Sequence, residues 1–587
     1  MKKIISMIAD RMSDAFVAAG YEASFAAVTV SNRPDLCQYQ CNGAMAAAKQ
    51  YKKAPIQIAG EVVSHISDDG MFAKCEAVAP GFINISVSAH FLMQYVLEMK
   101  DCEKFGLETA EKPQKIVVDY GGANVAKPLH VGHLRPAVIG EAVKRILRYA
   151  GHDVIGDAHL GDWGTPIGLI ITELKRRKPE LVYFDPDYEG EYPEEAPFTV
   201  AELEEIYPFA SGYSKEEGHE EYKEASRKAI LELQNGRRGY LALWKHIMTV
   251  SMTDLKKNYE NLNIHFELWK KESDSQPYIP AMIQEMKDKG YTRISEGALV
   301  VDVKEDTDTK EFPPCMILKS DGATLYNTTD LATIVERMKL FQPDRIIYVV
   351  DKRQSLYFEQ IFRCAKKTQL VKPETELIHI GFGTMTDKGG KPFKTRDGGV
   401  MRLSDLLGSI SDEVYAKMAD RDMSEEERRS IANTVGLAAL KYGDLSNQST
   451  KDYIFDIERF ASFEGNTGPY ILYTMVRIKS ILAKLSEEVS VQKAGEREYG
   501  EEEQNLLLAL SRFSDSVEKA AAELAPMKIC QYIYDLANCF NGFYHANKIL
   551  MEPDAEKQAE WIVLLQTTLH ILNDCISMLA FEAPDKM

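Results

Sequence analysis

The stretch Asp119-Tyr120-Gly121-Gly122-Ala123-Asn124-Val125-Ala126-Lys127-Pro128-Leu129-His130-Val131-Gly132-His133-Leu134-Arg135 decides the fold. Just before it, Lys115 to Val118 is a short β-branched run that reads as a buried strand. Just after it, from about Leu134 to Tyr149, apolar residues recur at helical spacing. The segment is therefore a strand, a glycine-bearing loop and a helix N-terminus. Free backbone N–H groups and the positive end of the helix dipole then point at one spot, which suits a phosphate. His130 and His133 lie three residues apart and face the same way on a first helical turn. Both imidazoles can donate to phosphate oxygens, Gly132 lets a flat base or ribose approach the backbone, and Lys127 adds a fixed charge. From spacing alone, the same pair also fits two capping or surface histidines.

Working outward, a second strand at about His152 to Asp157 completes a β-α-β start to a parallel sheet, with the ligand at its carboxyl edge. Next, His159-Leu160-Gly161-Asp162-Trp163-Gly164-Thr165 sets Trp163 between glycines, either as a second wall of the site or as a core plug. Residues 176–300 break the α/β rhythm. Glu180 to Pro197 is an acidic, proline-bearing loop, and Ser214 to Asn263 is helical and charge-laced, so this region reads as an insertion. Residues 313–375 return to the sheet, with Met316-Ile317-Leu318 as one strand and Arg345 to Val350 as another. Between them, Tyr326 and Asp330 share a face at a helix start. A carboxylate with a ring over the stem can hold a cationic side chain; the plainer alternative is an N-cap aspartate beside a core tyrosine. Asp119 and Asp330 both sit beside strand ends, and two converging acids would favour a planar guanidinium. Asn124 would then hold the α-amino or carboxylate end.

Lys388-Gly389-Gly390-Lys391-Pro392-Phe393-Lys394-Thr395-Arg396-Asp397-Gly398-Gly399 describes a mobile cationic loop, or an exposed basic turn. Residues 404–587 are almost wholly helical in pattern. There, Tyr532 to Tyr544 is an aromatic stripe, suited to a core or to stacking on bases. Before the decisive stretch, Met1 to Ala19 and Asn42 to Tyr51 read as helices, and Lys74 to Val87 as two strands around Ala79-Pro80-Gly81, giving a small α+β domain.

The chain has 587 residues, 45% hydrophobic and 27% charged, which fits several packed domains and a soluble protein. No apolar run approaches the ~20 residues of a membrane span. The start, Met1 to Ile8, is interrupted too early by Asp10, Arg11 and Asp14 for a signal peptide, so an amphipathic helix is expected. Nine cysteines without a Cys-x-x-Cys pair point to reduced thiols, a cytoplasmic location and no structural metal. A net charge of −19 argues against a nucleic-acid partner only globally. The acids cluster in 180–225 and 482–503, which leaves room for local basic faces.

Taken together, these motifs resemble one family. Asn124 to Arg135 is similar to the HIGH signature of class I aminoacyl-tRNA synthetases, in its arginyl form. Gly161-Asp162-Trp163-Gly164-Thr165 resembles a second family element. Tyr326-Asn327-Thr328-Thr329-Asp330 resembles the family's Tyr-x-Thr-x-Asp arginine-binding element, and Gln354 matches a substrate-contacting glutamine. Lys391 to Arg396 resembles the degenerate arginyl counterpart of the Lys-Met-Ser-Lys loop. Pro80 to Ile85 resembles the end of the family's tRNA-elbow-contacting N-terminal domain. Gly465 to Tyr470, the aromatic stripe and Glu582 to Met587 resemble its helical anticodon-binding domain. The likeness is strongest at 115–170, 320–360 and 441–475. Three departures stand out: Gly121-Gly122-Ala123 replaces the usual Ser-x-Pro, Pro166 replaces a glutamine, and Thr395 stands where the loop's second lysine would be. Lys127 is the natural candidate to offset that lost charge.

The resemblance implies an α/β Rossmann-type parallel-sheet catalytic domain over 111–403 with a helical insertion at about 176–300. It adds a small α+β N-terminal domain over 1–110, a helical connection over 404–464 and an all-α anticodon-binding domain over 465–587. The implied activity is ATP-dependent activation of L-arginine and its transfer to tRNA(Arg), with Mg²⁺ on the triphosphate and tRNA as a requirement for activation. Catalytic roles fall to Lys127, His130, His133, Lys391 and Lys394. ATP contacts fall to Ala126, Lys127, Pro128, Leu129, His130, Val131, Gly132, His133 and Arg396, and arginine contacts to Asp119, Asn124, Tyr326, Asp330 and Gln354. A monomer is expected. Two rivals remain open on sequence: another nucleotidyl-transfer enzyme with the same histidine core, and a non-catalytic tRNA-binding paralogue.

Overall fold

The computed structural model describes residues 1–67, 69–125, 127, 129–391, 401–419, 423–485 and 491–587. These form two compact units, 111–462 with 578–581, and 1–110 with 463–577 and 582–587.

The first unit is built on a four-stranded parallel sheet in the order Glu376–Phe382, Arg345–Asp351, Lys115–Asp119, Asp153–Asp157. Ile116, Val117 and Val118 are wholly buried, as expected of a strand covered on both faces. The Leu134–Tyr149 helix follows, carrying buried Leu134, Val138, Ala142, Ile146 and Leu147 towards the core. The chain steps from Lys115–Asp119 to one neighbour and later returns on the other side. The order thus reverses at the carboxyl ends of Lys115–Asp119 and Arg345–Asp351, where a crevice opens in such sheets.

Cys315–Leu318 does not join this sheet. It pairs antiparallel with Ala298–Val301, which pairs with Thr292–Ser295 in a separate three-stranded sheet. The hairpin turns on Glu296 and Gly297, both at positive φ (49° and 81°), a two-residue turn that matches strand twist. A four-residue apolar run carries no information about which sheet receives it, and the hairpin lay hidden in the region read as helical. The long helices of the insertion are Val200–Tyr213, Glu220–Gln234 and Arg238–Asn261, with Ile279–Asp288 following.

Two buried cations tie this unit together. Arg135 donates through Nε to Asp444 (2.8 Å) and through Nη1 to the Gly383 carbonyl (2.7 Å). Lys441, fully buried, donates to the Ala580 carbonyl at 2.6 Å, and burial pushes its ammonium down to about 7. Met578 to Phe581 are buried alongside.

In the second unit, an antiparallel sheet in the order Val28–Val30, Tyr39–Cys41, Phe82–Val87, Phe72–Val78 carries the helices of the first hundred residues. The later part is all helix, from Gly468–Leu482 to Ala555–Met578. The aromatic stripe divides. Tyr532, Ile533, Leu536, Phe540 and Phe543 are core. Tyr534 lies 5.8 Å from Tyr470, and the Arg477 guanidinium sits 4.9 Å from the Tyr473 ring and 5.0 Å from Tyr544.

Candidate active site

The loop after Lys115–Asp119 ends in a tight turn, Val131–His133. The Gly132 N–H donates to His130 Nδ1 (3.1 Å), and the His130 N–H donates to His133 Nδ1 (3.1 Å). The rings lie 4.0 Å apart, tilted by 37°. Burial, with Lys127 nearby, lowers the pKa of His130. Burial, then His130 and Lys127, lowers that of His133 to about 3. Both rings are therefore neutral at physiological pH. Since each Nδ1 accepts a backbone N–H, the ring proton sits on Nε2, and each imidazole keeps one donor. Gly132 has no room for a side chain, because a Cβ would lie 2.8 Å from His130 Cε1. The turn is braced from behind: Val131 donates to the Met401 carbonyl and Leu403 to the Leu129 carbonyl.

The Lys127 ammonium lies 4.7 Å above the Tyr207 ring of the insertion, beside Glu204 and Asp254. Lys391 stands exposed at the end of a turn in which its N–H and that of Gly389 donate to Asp387. Ala126, Pro128, Lys394, Thr395 and Arg396 lie outside the described residues.

An acidic group lies near Asp119 at the carboxyl end of Lys115–Asp119. Asp330, on the Tyr326–Leu340 helix, accepts a hydrogen bond from the Tyr357 hydroxyl. Burial raises its pKa, opposed by Tyr357 and His159 and reinforced by Asp119. Tyr326 is largely exposed one turn earlier. Gln354 is exposed at the end of the turn that follows Arg345–Asp351, three residues before Tyr357.

Sequence reasoning missed Glu272. Burial raises its pKa from 4.5 to about 7, with Asp162 and Asp330 adding to the rise and His159 opposing it. A ladder delivers it to the site. Leu160 donates to the Lys270 carbonyl, and Glu272 donates back to Leu160. Asp162 then accepts from the Ser273 N–H (3.0 Å) and hydroxyl (2.6 Å). On its other side this segment pairs with the signature loop, Val125 donating to Gly161 and Gly161 to Ala123. A Cβ on Gly161 would lie 2.5 Å from Asn124 Oδ1 and 3.7 Å from a Glu272 oxygen, so glycine there lets both polar groups approach. The only sequence signal for Glu272 is one acid among several in a charged insertion.

Asp119, expected to face a substrate cation together with Asp330, is also engaged within the fold: its Oδ2 pairs at 2.6 Å with Nη2 of buried Arg337, which also binds Asp157 at 2.8 Å. Asp119 and Asp157 are register partners on adjacent strands, so one guanidinium nitrogen reaches both. Glu272 and Asp119 both share an acidic environment with Asp330.

The arrangement offers neutral donors to phosphate on one side and carboxylates to a cation on the other. Three family models match the chain: "tRNA synthetases class I (R), catalytic domain" over 96–457, "DALR anticodon binding domain" over 471–587, and "Arginyl tRNA synthetase N terminal domain" over 2–87. The chain is 61% identical to an arginine--tRNA ligase of Agathobacter rectalis and 55% identical to one of Alkaliphilus oremlandii, each over 100% of both chains. Its fold is that of the arginyl-tRNA synthetases of Plasmodium falciparum (TM-score 0.82, 24% identity) and Thermus thermophilus (TM-score 0.80, 21% identity), with 100% of each chain covered.

Proposed function

Since this chain belongs to the arginyl-tRNA synthetases of class I, we propose how its crevice carries out arginine--tRNA ligation with ATP. The α-carboxylate of arginine attacks the α-phosphorus in line. A P–O bond forms as the bond to the bridging oxygen breaks, and pyrophosphate leaves with its Mg²⁺. A hydroxyl of the terminal tRNA ribose then attacks the adenylate carbonyl, and AMP leaves. No protein nucleophile is needed, so the chain supplies position and charge complementarity.

The Nε2–H groups of His130 and His133 hold phosphate oxygens without carrying charge. Gly132 admits the adenosine, with Ala126, Pro128, Leu129 and Val131 as further ATP contacts. Lys127, Lys391, Lys394 and Arg396 meet the charge developing on pyrophosphate. Asp330 and Glu272 take the guanidinium, Tyr326 covers the side-chain stem, and Asn124 and Gln354 hold the polar end. A charged hydrogen bond of this kind contributes about 1.5–3 kcal/mol, and two of them exclude uncharged side chains. Asp119 acts through Arg337. In the helical region, the patch of Tyr470, Tyr473, Arg477, Tyr534 and Tyr544 suits stacking with anticodon bases. Nine free thiols fit a cytosolic enzyme.

The single observation that supports this reading is the ladder from Asn124 through Gly161 to Glu272, which brings that acid to the loop ahead of the imidazole turn. Arginine-dependent ATP–pyrophosphate exchange tests it, with and without tRNA and with lysine as competitor. Among amino acids only arginine supports exchange, exchange depends on tRNA, and Asp330→Asn raises the KM for arginine but not for ATP. Exchange with lysine, or an unchanged arginine KM in D330N, overturns the assignment.

A further inference from the structure

Arg337 occupies an unusual place. It lies two turns beyond Asp330 on the same helix and is 2% exposed. Its side chain crosses a row of three register-matched residues, Asp157, Asp119 and Tyr348, on three adjacent strands. Nη2 alone makes both acid contacts, at 2.6 and 2.8 Å, and the guanidinium carbon lies 5.4 Å from the Tyr348 ring centre. Nε and Nη1 find no acceptor among the described residues. Two acids bridged by one nitrogen amount to a point-charge contact, unlike the paired fork of a structural arginine–carboxylate bond.

The neighbourhood explains what such a charge does. Asp330 is faced by Tyr357 from the next helix, His159 and Glu272 from the ladder, Asp119 and Tyr348 from the sheet, and Cys315 from the antiparallel strand. Among the groups acting on it, Asp119 opposes ionisation of Asp330 and Arg337 favours it. Without a cation between Asp119 and Asp157, three carboxylates would crowd one buried region, and protonation would relieve them.

We propose that Arg337 is a positioning and specificity-determining residue, a resident guanidinium that neutralises Asp119 and Asp157 so that Asp330 stays an open anion for the substrate's guanidinium. The proposal rests on the assignment of Asp330 to arginine binding. It follows that the enzyme holds two guanidinium sites side by side, one filled by its own chain.

The test is chemical rescue in the full-length protein. Arg337→Met raises the arginine KM by about tenfold or more and leaves the ATP KM and kcat near their wild-type values. Low guanidinium chloride restores the arginine KM in R337M, whereas in the wild type it only competes with arginine. Because one nitrogen makes both contacts, Arg337→Lys keeps the arginine KM within about threefold. A folded R337M with unchanged arginine KM, or one that guanidinium does not restore, overturns the proposal. Should R337M not fold, R337K decides, and a loss of about tenfold or more there overturns it too. D330N separates the two readings: if it leaves the arginine KM unchanged, the pocket assignment fails, and if only D330N has an effect, the role of Arg337 fails.

Discussion

Replacing Glu272 by Gln isolates the most unusual electrostatic feature of the site. A rise from 4.5 to about 7 makes the ionised side chain unfavourable in the empty protein. The sign follows from linkage. A carboxyl whose folded pKa is raised weakens the fold progressively as pH climbs from the unfolded value to the folded one, and by a constant amount above it. The shift corresponds to about 3 kcal/mol of destabilisation at about pH 8, and to nothing near pH 4. E272Q is therefore more stable than the wild type at pH 8 by up to that amount in urea unfolding, with no gain at pH 4. Arginine binding has the opposite need, since the guanidinium requires the anion. The wild-type arginine KM thus falls about tenfold from about pH 6 towards neutrality and then flattens, while E272Q has a weak KM throughout. Binding below pH 7 also releases a proton, visible as a buffer-dependent heat in titration calorimetry. A wild-type KM that is flat from about pH 6 to 8, or an E272Q no more stable than the wild type at pH 8, refutes the reasoning.

Lys127→Ala raises the activation barrier by about 2–4 kcal/mol if this lysine meets the transition-state charge, and an exchange rate lowered less than about threefold rejects that role. Gly132→Ala drives a methyl group into the His130 ring and lowers exchange by about tenfold or more, with the melting temperature nearly unchanged; a weak effect on exchange would show that the ring can yield. Arg135→Met strands buried Asp444 and destabilises the protein by about 3–5 kcal/mol in urea, whereas a loss under about 1 kcal/mol would mean the pair is dispensable.

What the sequence made legible was local. Lys115 to Val118 and Leu134 to Tyr149 announce themselves by period, and Val131–His133 by its histidines and glycine. The partner of Cys315–Leu318 was not legible, because sheet membership depends on register with distant strands. Glu272 escaped for a related reason: its place follows from a ladder between 157–161 and 268–272, residues more than a hundred apart. Arg337 was nearer to hand, since seven residues from Asp330 on one helix means the same face. Only coordinates, however, reveal that Asp119 is already engaged. The three-dimensional pairing of acids, rather than the motif, decides which carboxylates remain for substrate.

The capture of Ala580 by Lys441 has a consequence for how the protein is made. Synthesis runs from the first residue to the last, so Lys441 is complete and sequestered-to-be long before its acceptor exists. Until the ribosome has released the segment around 578–581, the catalytic unit contains an ammonium group with its principal partner missing. A message broken late in its reading frame would therefore yield a chain with every signature of the active site and an unfinished interior, a natural target for proteolysis before it could bind and sequester tRNA.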